Sequence, residues 1–147
     1  MIDKSLFALL QRTRQIDGFF LFEVLMLTFE ETKQFYKSPA WKLLRARVLR
    51  RDKYICQYNK RYGKVVEAKV VHHILPLEFY PEHRLKQWNL ISLSTGAHER
   101  LHNRNEHTLT LEGWRLMEKT AQDQGITLTN EDKVICLGLG AVNNKPI

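Results

Sequence analysis

At 147 residues, with 44% hydrophobic and 27% charged side chains, the chain has the size and balance of one soluble globular domain with short extensions. Its net charge of +7 is unevenly placed. Residues 37–107 hold 15 basic against 6 acidic side chains, a balance of +9, while residues 1–36 and 108–147 each hold 4 basic and 5 acidic. Two cysteines 80 positions apart, Cys56 and Cys136, exclude a disulfide framework and a sequence-visible zinc ribbon.

Residues 1–34 read as an apolar N-terminal extension, helical in its first half. Asp3 and Lys4 lead into that pattern without a cleavage site, so a cytoplasmic protein is expected. The run from Gly18 to Phe29 is apolar but too short to span a bilayer, and Glu23 interrupts it. It reads as a buried helix or strand, or as a dimer contact, which would make the protein a homodimer through this segment. No membrane partner is expected.

Ser38-Pro39 is a helix start, with Ser as cap and Pro in the first turn, and predicts a helix from about Pro39 to Arg51. Trp41, Leu44 and Val48 fall on one face, and Lys42, Arg45, Arg47, Arg50 and Arg51 occupy the rest. Asp52 to Gly63 reads as an irregular knuckle ending in a turn at Tyr62-Gly63. The valine-rich stretch from Lys64 to Ile74 suggests a strand closed by Pro76. Asn89 to Leu93 gives a second, and Ser94 or Thr95 caps a helix from about Gly96 to Asn105. A further helix is expected over 108–124, with Leu111, Trp114, Leu116 and Met117 apolar, then a tail with an apolar patch from Val134 to Leu139.

The histidines carry the chemistry. His98 and His102 are four apart, a spacing that puts two imidazoles on one helix face, although chance also produces it often. His72 and His73 end the first strand, where neighbours point to opposite faces unless the strand bends, and the Ile74-Leu75-Pro76 exit would allow a bend. One imidazole would then join a metal site while the other stays free as a base. The alternative is one satisfied buried histidine beside a solvent-facing one. Asn89 has an amide that donates and accepts at once, which suits a loop tie or an ordinary turn.

The order of these residues resembles the HNH endonucleases of the ββα-metal fold. The resemblance rests on His72-His73-Ile74-Leu75-Pro76, then Trp88-Asn89-Leu90-Ile91-Ser92-Leu93, then His98 and His102, with the lead-in Phe35-Tyr36-Lys37-Ser38-Pro39-Ala40-Trp41. Val48-Leu49-Arg50-Arg51-Asp52 and Cys56 also resemble bacterial and phage members. The resemblance implies an α+β fold with a ββα-metal core and flanking helices, divided as an extension (1–34), a nuclease core (35–107) and a C-terminal helix and tail (108–147).

It further implies hydrolysis of DNA phosphodiester bonds, leaving a 5′ phosphate and a 3′ hydroxyl. His73 takes the place of the general base and Asn89 that of the middle Asn. His72, His98 and His102 would hold one divalent ion: Zn²⁺, Ni²⁺ or Mn²⁺ by their chemistry, Mg²⁺ if water replaces His102. Many members carry two Cys pairs that hold a structural zinc. Here those positions are Cys56, Asn59, Ser94 and Ala97, so no structural zinc is expected. Arg45, Arg47, Arg50, Arg51 and Lys53, with Arg100 and Arg104, are the candidates for contacts to the DNA backbone. Two rival expectations are a catalytically weak DNA-binding protein of the same fold and a protein whose histidines are purely structural.

Overall fold

The computed structural model describes residues 29–103 and 108–139. The apolar run and the first-half helix expected of residues 1–28, and the site candidate Arg104, lie outside them. Among the described residues no helix is long and apolar enough to cross a membrane.

Helix α1 (Phe29–Lys37) leads into α2 (Pro39–Arg51), which starts where Ser38 accepts the Trp41 N–H on its side chain at 3.2 Å. A connector with the short α3 (Gln57–Lys60) follows, opened by Lys53 and Tyr54, both in the left-handed region at φ 55° and 57°. Strand β1 (Val70–His73) then pairs antiparallel with β2 (Leu90–Leu93), and Val71 faces Ser92 while His73 faces Leu90. Between them runs a loop with short 3₁₀ turns at Pro81–His83 and Gln87–Asn89. Helix α4 (Thr95–Leu101), capped by Ser94, is followed by a two-residue ladder, β3 (His102–Asn103) with β4 (Thr108–Leu109). Helices α5 (Leu111–Asp123) and α6 (Asn130–Cys136) close the described chain.

The hairpin is covered on both faces, which fixes where every strand side chain goes. Val71 and Leu90 pack into one apolar cluster with Trp41, Leu44, Val48 and Leu49 of α2. Ile91 and Leu93 turn the other way, into a second cluster with Ala97 and Leu101 of α4 and Trp114, Leu116 and Met117 of α5. All four residues of β2 are buried as a result. Leu75, Leu93 and Met117 are essentially inaccessible, and burying each contributes about 1.5–3 kcal/mol. Gly113 brings α5 against α4: a Cβ there would meet the Leu101 carbonyl oxygen at 2.1 Å. The fold is α+β, with helix, hairpin and helix layers in that order.

Two boundaries and one buried position differ from the sequence expectation. The first strand occupies only 70–73, because only those residues have β2 beside them; Val65 is 83% exposed. The helix expected to reach Asn105 ends at Leu101, where His102 adopts extended φ −132°, ψ 127° and pairs with Leu109. Leu111, expected on an apolar face, is exposed at the first residue of α5.

Candidate functional site

His72 and His73 are neighbours on a straight strand, so their rings leave on opposite faces of the hairpin. His72 goes to the α4 side, where its ring lies 5.1 Å from His98 and 6.0 Å from His102. His73 goes to the α2 side and stacks on Trp41 at 5.0 Å and 22°. The expected bend is not needed. β1 has a partner on one edge only, and a cleft of about 330 Å³ wraps its other edge, lined by His72, His73, His98 and His102 with Lys69, Val70 and Val71. Residues from both faces of one strand therefore reach a single cleft.

His98 and His102 do not share a helix face as their spacing suggested. His102 is the residue after the helix, yet its ring still stacks near-parallel to His98, at 5.6 Å and 11°. Burial, reinforced by the imidazoles of His98, His102 and His73, holds His72 well below its ordinary pKa of 6.5, so it is a neutral nitrogen donor.

Three imidazoles on one ion, with metal–nitrogen bonds of about 2.1 Å, place their ring centres roughly 5 Å apart. The spacings here are at that value or up to 1 Å wider. An imidazole lone pair lies in the ring plane, so two near-parallel rings do not aim at one point as they stand. Accordingly, no three His, Cys, Asp or Glu side chains among the described residues form a closed ligand shell. Three imidazoles are a donor set that suits a borderline divalent ion.

His73 is 4% exposed, and both its nitrogens are engaged. Nε2 lies 3.0 Å from the Arg84 carbonyl, which only accepts, so Nε2 carries the proton. Nδ1 then holds the lone pair and accepts from the Tyr36 hydroxyl at 3.3 Å. Desolvation lowers the His73 pKa, opposed in part by the Arg84 carbonyl, and the ring is neutral at pH 7. Tyr36 is kept a phenol by burial, with Glu78 adding to the shift.

Asn89 is fully buried and ties the loop to itself. Its Oδ1 accepts the Leu75 N–H at 2.7 Å, and its Nδ2 donates to the carbonyls of Leu75 at 3.1 Å and His83 at 3.3 Å. The loop so held includes Arg84, whose carbonyl orients His73 and whose guanidinium lies 5.9 Å above the Phe35 ring. Asn89 thus stands one relay away from the imidazole.

The basic candidates divide. Arg45 lines the cleft and donates to the Lys69 carbonyl at 2.9 Å. Arg47, Arg50, Lys53 and Arg100 are exposed. Arg51 is committed to the fold: its guanidinium grips both Asp52 oxygens and donates to the carbonyls of Gln87 and Leu90, while Asp52 accepts the Ser92 N–H. Burial alone would raise the Asp52 carboxyl, but the bonds from Arg51 and Ser92 bring it below its ordinary value. Lys69 and Glu78, which line the cleft, and Arg84, whose carbonyl holds His73, carry no motif signal and were not singled out in the sequence.

Neither a family model nor a curated protein matches the chain. A solved structure does, the crystal structure of a deep-sea thermophilic bacteriophage GVE2 HNH endonuclease with manganese ion. It is 31% identical, and the match covers 65% of this chain and 85% of that one, with a TM-score of 0.48. The chain is similar in sequence to this phage HNH endonuclease. The four histidines His72, His73, His98 and His102 thus line one cleft along β1.

Proposed function

We propose that this protein is a metal-dependent endonuclease of the HNH type that hydrolyses DNA phosphodiester bonds with His73 as general base. The observation that carries the proposal is the state of His73. It is a buried, neutral imidazole with Nε2–H fixed on a backbone carbonyl, and it shares a cleft with a cluster of three further imidazoles. His72, His98 and His102 would hold one divalent ion, manganese being the ion in the related phage structure and zinc, nickel and magnesium the other candidates. Such an ion supplies Lewis-acid neutralisation of charge developing on the phosphate and the leaving 3′ oxygen.

His73 accepts a proton from water at Nδ1, and the Arg84 carbonyl stabilises the imidazolium through Nε2–H. Asn89 keeps that carbonyl in place. Arg45 and Lys69 at the cleft rim, with Arg47, Arg50, Lys53, Arg100 and Arg104, are proposed to carry the DNA backbone. The Tyr36 hydroxyl stands where water must be deprotonated, so it has to move aside for the reaction. That cap is also what favours a second reading, a DNA-binding protein of weak activity.

Conversion of supercoiled plasmid by chelator-stripped protein decides between the readings, with Mn²⁺, Mg²⁺, Ni²⁺ or Zn²⁺ restored and His73→Ala alongside. Metal-dependent nicking that the variant loses, while it keeps metal and DNA binding, supports the nuclease. Cleavage unchanged in the variant removes His73 as base. No cleavage with any metal, despite salt-sensitive DNA binding, leaves the binding protein.

A further inference from the structure

A second cleft, of about 230 Å³, lies between the α3 turn and the outer side of α5. Tyr58 and Tyr62 form one wall, their rings 5.4 Å apart and inclined by 54°. Arg61, Arg115 and Lys119 line it with one carboxylate, Glu112, and the Tyr58 hydroxyl already donates to that carboxylate at 2.5 Å. Neither Arg61 nor Arg115 has an acidic partner among the described residues; Lys119 has only Asp123, in a solvent-exposed pair at 3.4 Å that is worth little. Tyr62 is 64% exposed, so its ring is open to a ligand.

We infer that this cleft binds an unpaired base of single-stranded DNA, the base stacking on Tyr62 and its phosphates resting on Arg61 and Arg115. Two guanidinium groups outside any ion pair among the described residues, beside the exposed Tyr62 ring and outnumbering the one carboxylate Glu112, suit a polyanion whose monomers are planar rings. A duplex offers its base edges and hides the faces, which selects the single strand. The inference extends the nuclease proposal to the form of its substrate, but binding in chelator tests it independently of cleavage.

Fluorescence anisotropy of a labelled single-stranded oligonucleotide, measured in EDTA over a salt series, gives the test. Tyr62→Ala is expected to weaken single-strand binding about tenfold, Tyr62→Phe to restore it, and duplex affinity to change less than about twofold. Arg61→Ala with Arg115→Ala should lower the slope of log affinity against log salt by about 1.4, the share of two phosphates. Unchanged melting temperatures certify that the variants fold. Single-strand affinity unmoved in both variants overturns the inference. So does competition by polyglutamate as effective as by the single strand, which would mark the cleft as a site for an acidic protein.

Discussion

Replacing Asn89 by Ala tests the link between the buried amide and the catalytic imidazole. The substitution leaves the Leu75 N–H and the Leu75 carbonyl without their side-chain partner in a site that excludes solvent, and removes one contact to the His83 carbonyl. Each orphaned buried group costs about 1–3 kcal/mol. Two such groups, with some relief from water entering the vacated space, give a loss of about 3 kcal/mol. For a cooperative unit of roughly 100 residues each kcal/mol moves the melting temperature by about 4–8 °C, so the drop should be about 12–24 °C. Calorimetry on metal-free protein is the assay, since a bound ion would mask the change by mass action.

Asn89→Asp sharpens the test at constant shape. Its carboxylate still accepts the Leu75 N–H but faces two carbonyl oxygens, which favour the protonated acid. The folded-state pKa of that Asp is therefore raised, so its favourable contribution is present at low pH and lost as pH rises through the raised value. The variant should gain on its parent as pH falls from about 7 to about 4. A melting temperature for Asn89→Ala within about 3 °C of the parent, or an Asn89→Asp penalty independent of pH, would refute the account of Asn89 as the loop's anchor.

Tyr36→Phe should raise the single-turnover cleavage rate roughly two- to tenfold, the worth of one modest hydrogen bond that occupies the base's lone pair; a lower rate would show that the hydroxyl helps place the water. Because burial depresses the pKa values of His72 and His73, metal-free protein has their full stabilising contribution above about pH 6.5 and loses it as pH falls through the folded-state values. Melting temperatures from pH 7 down to 5 should fall accordingly, and less steeply in His73→Phe. Lys53→Gly should stabilise the protein by about 1 kcal/mol in urea titration, since it relieves a left-handed side chain.

The parts of the fold legible in the sequence were those set by local chemistry. Ser38 and Pro39 mark the start of α2, and its end at Arg51 follows from the apolar face of Trp41, Leu44 and Val48. What the sequence hid depends on partners far along the chain. His102 leaves the helix because Leu109 offers a ladder bond, which no apolar period records. Valine enrichment over 64–71 reports strand propensity, but a strand needs a neighbour, and β2 reaches only to Val70. The cleft shows the same division. The four histidines were visible as a motif, whereas the cap on Nδ1 by Tyr36, 37 positions away, and the commitment of Arg51 to Asp52 emerge only in three dimensions.

The knuckle shows how such a core holds without the cysteine pairs that the family resemblance led one to look for. At those four positions the Ser94 hydroxyl donates to the Asn59 amide oxygen at 3.2 Å and also accepts the Ala97 N–H, while Cys56 and Ala97 sit in the apolar cluster behind. One such hydrogen bond nets about 1 kcal/mol, far below the roughly 10–16 kcal/mol of a structural zinc in a small finger. The difference has to come from packing. The same cluster that receives Cys56 and Ala97 also receives Trp114, Leu116 and Met117 of α5 and Cys136 of α6, whose thiol burial pushes up to about 12. Helices α5 and α6 therefore press from below on the segment that a metal would otherwise cross-link. By holding α4 they also hold His98, so the geometry of the histidine cleft is set as much by this C-terminal buttress as by the motif itself.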